Sequence, residues 1–146
     1  MHRAALTTFL VLAAAHGAHA QVSTGVQVGH ATGISLEYRA AGHALVGTFG
    51  VQPWEYRMSW DAHLVLGQIA LGPSPVEVVY GLGGFAFSDA DTFEAGPSGL
   101  FGVTYRAAPG QSLYVHATPR FDVWATDVTV RMEAVAGIRV ELFDAK

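Results

Sequence analysis

The chain has 146 residues, no cysteine and a formal charge of −4, with 51% hydrophobic and only 14% charged residues. That length suits one domain, and so high a hydrophobic fraction excludes a disordered chain. The acidic balance argues against a nucleic-acid binder that works by neutralising phosphates.

Residues 1–20 read as a secretory signal. Arg3 supplies a short positive start, Ala4 to Ala15 is an apolar run, and Ala18-His19-Ala20 places small residues just before Gln21. The run is too short to span a bilayer, which takes about 20 apolar residues. The absence of cysteine after the cut site excludes a lipid-anchored lipoprotein, and it denies the exported chain any disulfide.

From Gln21 the sequence alternates with period two, and no segment has the period of a helix. Val22 to His30 sets Val22, Val26 and Val28 against Ser23, Gly25, Gln27 and Gly29. Ile34 to Ala40 sets Ile34, Leu36 and Tyr38 against Ser35, Glu37 and Arg39. His43 to Val51 is less regular, although Leu45, Phe49 and Val51 share a parity. Ser59 to Ala70 opposes Trp60, Ala62, Leu64 and Leu66 to Asp61, His63 and Gly67. Val76 to Phe87 opposes Val76, Val78, Tyr80 and Leu82 to Glu77, Gly81 and Gly83. Ala95 to Arg106 opposes Phe101, Val103 and Tyr105 to Gly102 and Thr104. Ser112 to Asp122 opposes Leu113, Val115, Ala117 and Phe121 to Tyr114, His116, Thr118, Arg120 and Asp122. Last comes Asp127 to Leu142, whose even positions are all apolar. Turn chemistry separates these eight strands, at Ala31-Thr32-Gly33, Ala41-Gly42, Gln52-Pro53, Leu71 to Pro75, Ser88 to Glu94, Ala108-Pro109-Gly110 and Val123 to Thr126. Strands of about ten residues with short links predict an all-β, antiparallel, up-and-down closed barrel.

Alternation alone fits two opposite proteins. A soluble lipid-binding barrel keeps its apolar face inside, and an outer-membrane barrel turns that face to lipid. Three features favour the membrane form. The charged fraction is well below the roughly 25–35% of a soluble surface. Glycines 25, 29, 67, 81, 83, 102 and 137 share the polar parity, where a narrow lumen needs space. Aromatic residues gather near strand ends on the apolar parity, at Tyr38, Phe49, Trp60, Tyr105 and Phe121, with Trp54 and Trp124 in adjoining loops. Such placement suits the two interfacial girdles of a membrane barrel. The expectation is an eight-stranded transmembrane β-barrel over residues 21–146.

Gly25 to Tyr38 (GVQVGHATGISLEY), Pro75 to Phe87 (PVEVVYGLGGFAF) and Val135 to Val140 resemble small eight-stranded bacterial outer-membrane β-barrels. More narrowly, they resemble a largely uncharacterised group with short loops. The likeness runs over nearly all of Gln21 to Leu142 and implies the fold and a Gram-negative outer membrane, without a firm activity. One departure is the C-terminus. Such barrels often end on an aromatic residue, whereas here Phe143 is followed by Asp144-Ala145-Lys146.

The polar parity collects Glu37, Arg39, Asp61, His63, Glu77, His116, Arg120, Asp122, Arg131, Glu133, Arg139 and Glu141. Buried charges are costly unless paired, so these residues are expected to form ion pairs that plug the lumen of so small a barrel. A proton or ion path is the functional rival to that structural role. A lipid hydrolase could be built from His116, Thr118 and Glu133, but threonine is a hindered nucleophile and the register points it away from lipid. Asp89, Asp91 and Glu94 share one loop and could offer oxygens to a divalent cation, although solvated loop carboxylates are commoner. The reading is therefore a non-catalytic integral membrane protein without cofactor or metal. Its partners are outer-membrane lipids, with no nucleic acid and with protein partners unassigned. Termini in the periplasm would put Ala31–Gly33, Gln52–Arg57, Ser88–Glu94 and Val123–Thr126 outside.

Overall fold

The computed structural model describes residues 20–40, 42–123 and 128–144, the side chains of 143 and 144 excepted. Apart from Ala20, the expected signal lies outside the described residues, as do Ala41 and the loop residues 124–126 with Trp124. All regular structure among the described residues is strand. The strands are β1 (Gln21–Gly29), β2 (Thr32–Ala40), β3 (His43–Gln52), β4 (Arg57–Ala70), β5 (Val76–Ser88), β6 (Phe93–Ala108), β7 (Gln111–Asp122) and β8 (Thr129–Asp144). Each pairs antiparallel with the next, and β8 returns to β1 through pairs such as Val26 with Ile138, which closes the barrel.

Facing follows from the two-residue period of a strand. On β4 the side chains of Arg57, Ser59, Asp61 and His63 are buried inside, while Met58, Trp60 and Leu64 project outward. The same inversion holds around the barrel: Met132 is 69% exposed and Leu82 62%, both on the outer wall. β4 and β6 start two residues earlier than the sequence patterning suggests. In both, alternation simply continues to the rim, where Arg57 pairs with Glu94.

Gly67 is a correction. A bulge between Val65 and Gly67 shifts the register, so Gly67 pairs with Tyr80 and turns to the outer face. There the Tyr80 ring lies across it, in the space a Cβ would need. The bulge adds one residue, and one residue is enough to reverse facing.

Inward glycines answer to curvature. A Cβ on Gly83 would collide with the Ala62 carbonyl oxygen of the neighbouring strand. At Gly137 it would come within 2.5 Å of both the Tyr114 ring and the Val26 carbonyl oxygen. The space these glycines free is taken by neighbouring backbone as well as by side chains. On the outer wall, Phe49 and Trp60 pack edge to face with centroids 5.3 Å apart near the loop end. Tyr38 and Tyr105 lie close to the opposite end, which holds the short turns and both ends of the barrel chain.

Candidate functional site

The lumen is the candidate site, and its side chains fall into three tiers along the barrel axis. At the loop end Arg57 meets Glu94 at 2.9 Å and Asp89 at 3.3 Å, with its guanidinium 5.3 Å from the Phe87 ring centroid. Asp89 also accepts hydrogen bonds from the Thr92 hydroxyl (2.6 Å) and from the amides of Asp91 (2.9 Å) and Thr92 (2.7 Å). The Thr92 hydroxyl first, then those amides, hold the Asp89 carboxyl below its ordinary pKa, with Arg57 nearby. These carboxylates are occupied by the loop's own donors and by arginine. Among the described residues, no group of three or more histidines or carboxylates could hold a metal ion.

Arg120 of β7 centres the middle tier at 4% exposure. Its Nη2 donates to both oxygens of Asp61, at 2.7 and 2.8 Å, and Nη1 pairs with Glu133. The Phe87 and Phe85 rings lie 4.5 and 5.2 Å from the same guanidinium. Glu133 is also met by His30 Nε2 at 2.9 Å, from the turn after β1. Burial lowers the His30 pKa, and the charge of Arg120 lowers it further. Asp61 accepts a further bond from the Thr48 hydroxyl at 3.1 Å. Below it, His63 and Ser98 share a hydrogen bond of 2.8 Å, and His116 lies against Tyr114 with ring centroids 4.6 Å apart.

The tier at the turn end is built on Arg139, which donates to Ser35 Oγ (2.9 Å) and to Glu37 (2.5 Å) and covers the Tyr114 ring at 3.9 Å. The other oxygen of Glu37 accepts from Arg39 at 2.6 Å. Glu77 pairs with Arg106 at 2.6 Å.

Of the residues singled out in the sequence, Asp61, Arg120 and Glu133 meet in one cluster, and Glu37, Arg39 and Arg139 in another. His63, Glu77 and His116 have the separate neighbours given above, and Asp122 is buried on the lumen side. Arg131 and Glu141 keep the inward parity but sit towards opposite ends. Arg131 is 42% exposed and 3.6 Å from Glu94. His116 and Thr118 are buried in the lumen, and Thr118 stands opposite Glu133 in the β7–β8 register. That geometry keeps them away from the lipid-facing wall a lipid hydrolase would use. The sequence reading missed Arg57, Arg106 and His30, and it took Glu94 as a loop carboxylate where the structure pairs it with Arg57. Arg57 and Arg106 share the parity of Asp61 and Thr104, so carrying alternation to the strand ends would have found them.

Two cavities bracket this packing. One of about 410 Å³ opens at the turn end, and the middle tier encloses only about 20 Å³. The smaller has room for about one water molecule.

A closed barrel with ion pairs inside and a predominantly apolar outer wall has the construction of a transmembrane β-barrel. The comparisons with solved structures agree. A chain from a de novo design of transmembrane β-barrels superposes with a TM-score of 0.60 at 16% identity, covering 84% of this chain and 95% of that one. The crystal structure of Neisserial surface protein A superposes with a TM-score of 0.55 at 20% identity, covering 85% and 95% respectively. At these identities the likeness establishes the fold: an eight-stranded antiparallel transmembrane β-barrel. No protein-family model matches the chain, and no curated protein does either.

Proposed function

We propose that this protein is a small integral protein of a Gram-negative outer membrane, exported with residues 1–20 removed. Its role is structural, or to interact with lipid and neighbouring proteins, without catalysis. The observation that carries the reading is the inverted facing, with the Arg120 cluster inside and side chains such as Leu82 and Met132 outside. Apolar surface on that scale is unstable in water and stable against acyl chains. A soluble lipid carrier needs the opposite arrangement, with an apolar cavity and a charged exterior. The likeness to a barrel named as a surface protein supports the outer membrane as its location. Short connections on the loop end favour a barrel that works within the membrane plane over one that displays large binding loops.

Fractionation of cells, followed by alkaline carbonate extraction, tests the proposal. The protein should stay with the outer-membrane pellet. Release into the carbonate supernatant would indicate a peripheral or soluble barrel and end this reading.

A further inference from the structure

The two neighbours of β6 hold it unequally. Its ladder to β5 is unbroken, from Ser88 with Phe93 to Val76 with Tyr105. Its ladder to β7 is regular from Phe101 with Ala117 to Arg106 with Ser112. Between Phe93 and Leu100, however, the described residues keep only the pair of Ser98 with Arg120. Two prolines account for the gap. The Arg106 amide donates to the Pro75 carbonyl, so even-numbered β6 residues turn their backbone groups to β5 and odd-numbered ones to β7. In the register of the β6–β7 ladder, Pro97 then stands opposite Phe121 and Pro119 opposite Gly99. Such a pair exchanges two hydrogen bonds, and each proline removes one because it has no N–H. The Phe121 and Gly99 carbonyls lose the donors that the register would supply, and lipid offers no replacement. Proline in a sheet is ordinarily confined to edges and bulges. Here two face one seam, with the same register on either side of them.

We propose that the loop-end half of the β6–β7 seam is a lateral gate, which opens the lumen to the surrounding lipid at the level of the middle tier. The paired stretch from Phe101 to Arg106 is its hinge. Side chains do little to close it, since Gly96 and Ser98 face inward there and Ala95, Pro97 and Gly99 face outward, all of them small. Arg120 is the latch: it ties β7 to Asp61 of β4 and Glu133 of β8 from inside. Opening uncovers Ser98, which is buried and bonded to His63 in the closed barrel. Access along the axis is different, because the turn-end vestibule of about 410 Å³ stops at a tier that encloses only about 20 Å³.

Amide hydrogen exchange of residues 21–146, refolded in neutral maltoside micelles, tests the gate. The Gly99 and Phe121 amides face the seam, whereas those of Gly96 and Ser98 face β5 from the same strand, so fraying of the loop end would affect both sets alike. Gly99 and Phe121 should exchange about tenfold faster, the effect of one net hydrogen bond. Pro97→Val combined with Pro119→Val supplies the two absent donors and should bring their rates down to those of Gly96 and Ser98. Asp61→Asn loosens the latch and should quicken Gly99 and Phe121 while the β5-facing amides keep their rates. Because the chain has no cysteine, Ser98→Cys places a unique thiol behind the seam. In lipid nanodiscs an apolar maleimide should modify that thiol faster than a sulfonated one, and the double proline replacement should slow the reaction about tenfold. Equal protection on the two sides of β6, or exchange and labelling unaltered by the proline replacements, would overturn the proposal. So would acceleration spread evenly over both sides in Asp61→Asn, or preferential entry of the sulfonated reagent, which would mark an aqueous route along the axis.

Discussion

Arg120 shows how a single residue holds a narrow lumen together. Its two nitrogens divide between Asp61 and Glu133, and aromatic rings flank the guanidinium. Replacing it with leucine leaves two buried carboxylates facing each other without their cation. Removing one partner of such a pair costs about 3–5 kcal/mol, and the urea midpoint of Arg120→Leu in detergent should fall accordingly. Asp61→Asn keeps the hydrogen-bond acceptor and should cost less. Equal midpoints for Arg120→Leu and the parent would mean that the cluster carries no stability. Gly137 and Ala134 test facing on β8. Gly137→Leu drives a branched side chain into the Tyr114 ring and the Val26 backbone, and overpacking of this kind costs at least about 1–3 kcal/mol. Ala134→Leu projects from the outer wall into fluid detergent or lipid, and unfolding should find it nearly neutral. Destabilised Ala134→Leu beside tolerated Gly137→Leu would reverse the facing of the whole strand.

At the scale of elements, the β5–β6 connection is tied by Asp89, whose carboxyl holds the Thr92 hydroxyl and two amides. Because its pKa is held below the ordinary value in the folded loop, its stabilising effect is present above that ordinary value. The effect is lost as pH falls through the lower, folded-state value. On acidification the Asp91 and Thr92 amides should lose protection from hydrogen exchange while amides in the middle of β6 keep theirs. Asp89→Asn should make that protection independent of pH over the same range, and a persistent acid transition in this variant would point to another group. The strands themselves were legible because a two-residue period with glycine on the polar side has few alternatives. β5 and β7 begin and end within a residue of the sequence estimate. The bulge at Gly67 was not read, although an isolated glycine and the switch of apolar parity from Leu66 to Ile69 mark it. Ion-pair partners were hidden for a different reason. Parity says that Arg120 and Asp61 face inward, but only closure of the barrel brings β7 across to β4. His30 escaped notice because it lies past the end of β1, in a turn that folds back over Glu133.

For the molecule as a whole, the question is whether a polar lumen conducts. The vestibule at the turn end and the rim at the loop end are separated by the tier of Arg120, Asp61 and Glu133, sealed by Phe85 and Phe87. The space left in that tier, about 20 Å³, holds about one water and gives no room for a hydrated ion. An eight-stranded barrel has an interior that side chains can fill, and here they fill its middle. The parent protein in planar bilayers should therefore show no steady open-channel conductance. Arg120→Ala combined with Phe87→Ala removes the cation and one of its aromatic covers together, joining the vestibule to the loop end. Asp61 and Glu133 then remain as fixed negative charges along the opened path, so the leak should favour cations over chloride. Reversal potentials in a potassium chloride gradient measure that preference. Steady conductance in the parent would show that the tier is not closed. A folded but silent double variant would place the obstruction at another level of the barrel, with the Arg57 contacts to Asp89 and Glu94 the next segment to open.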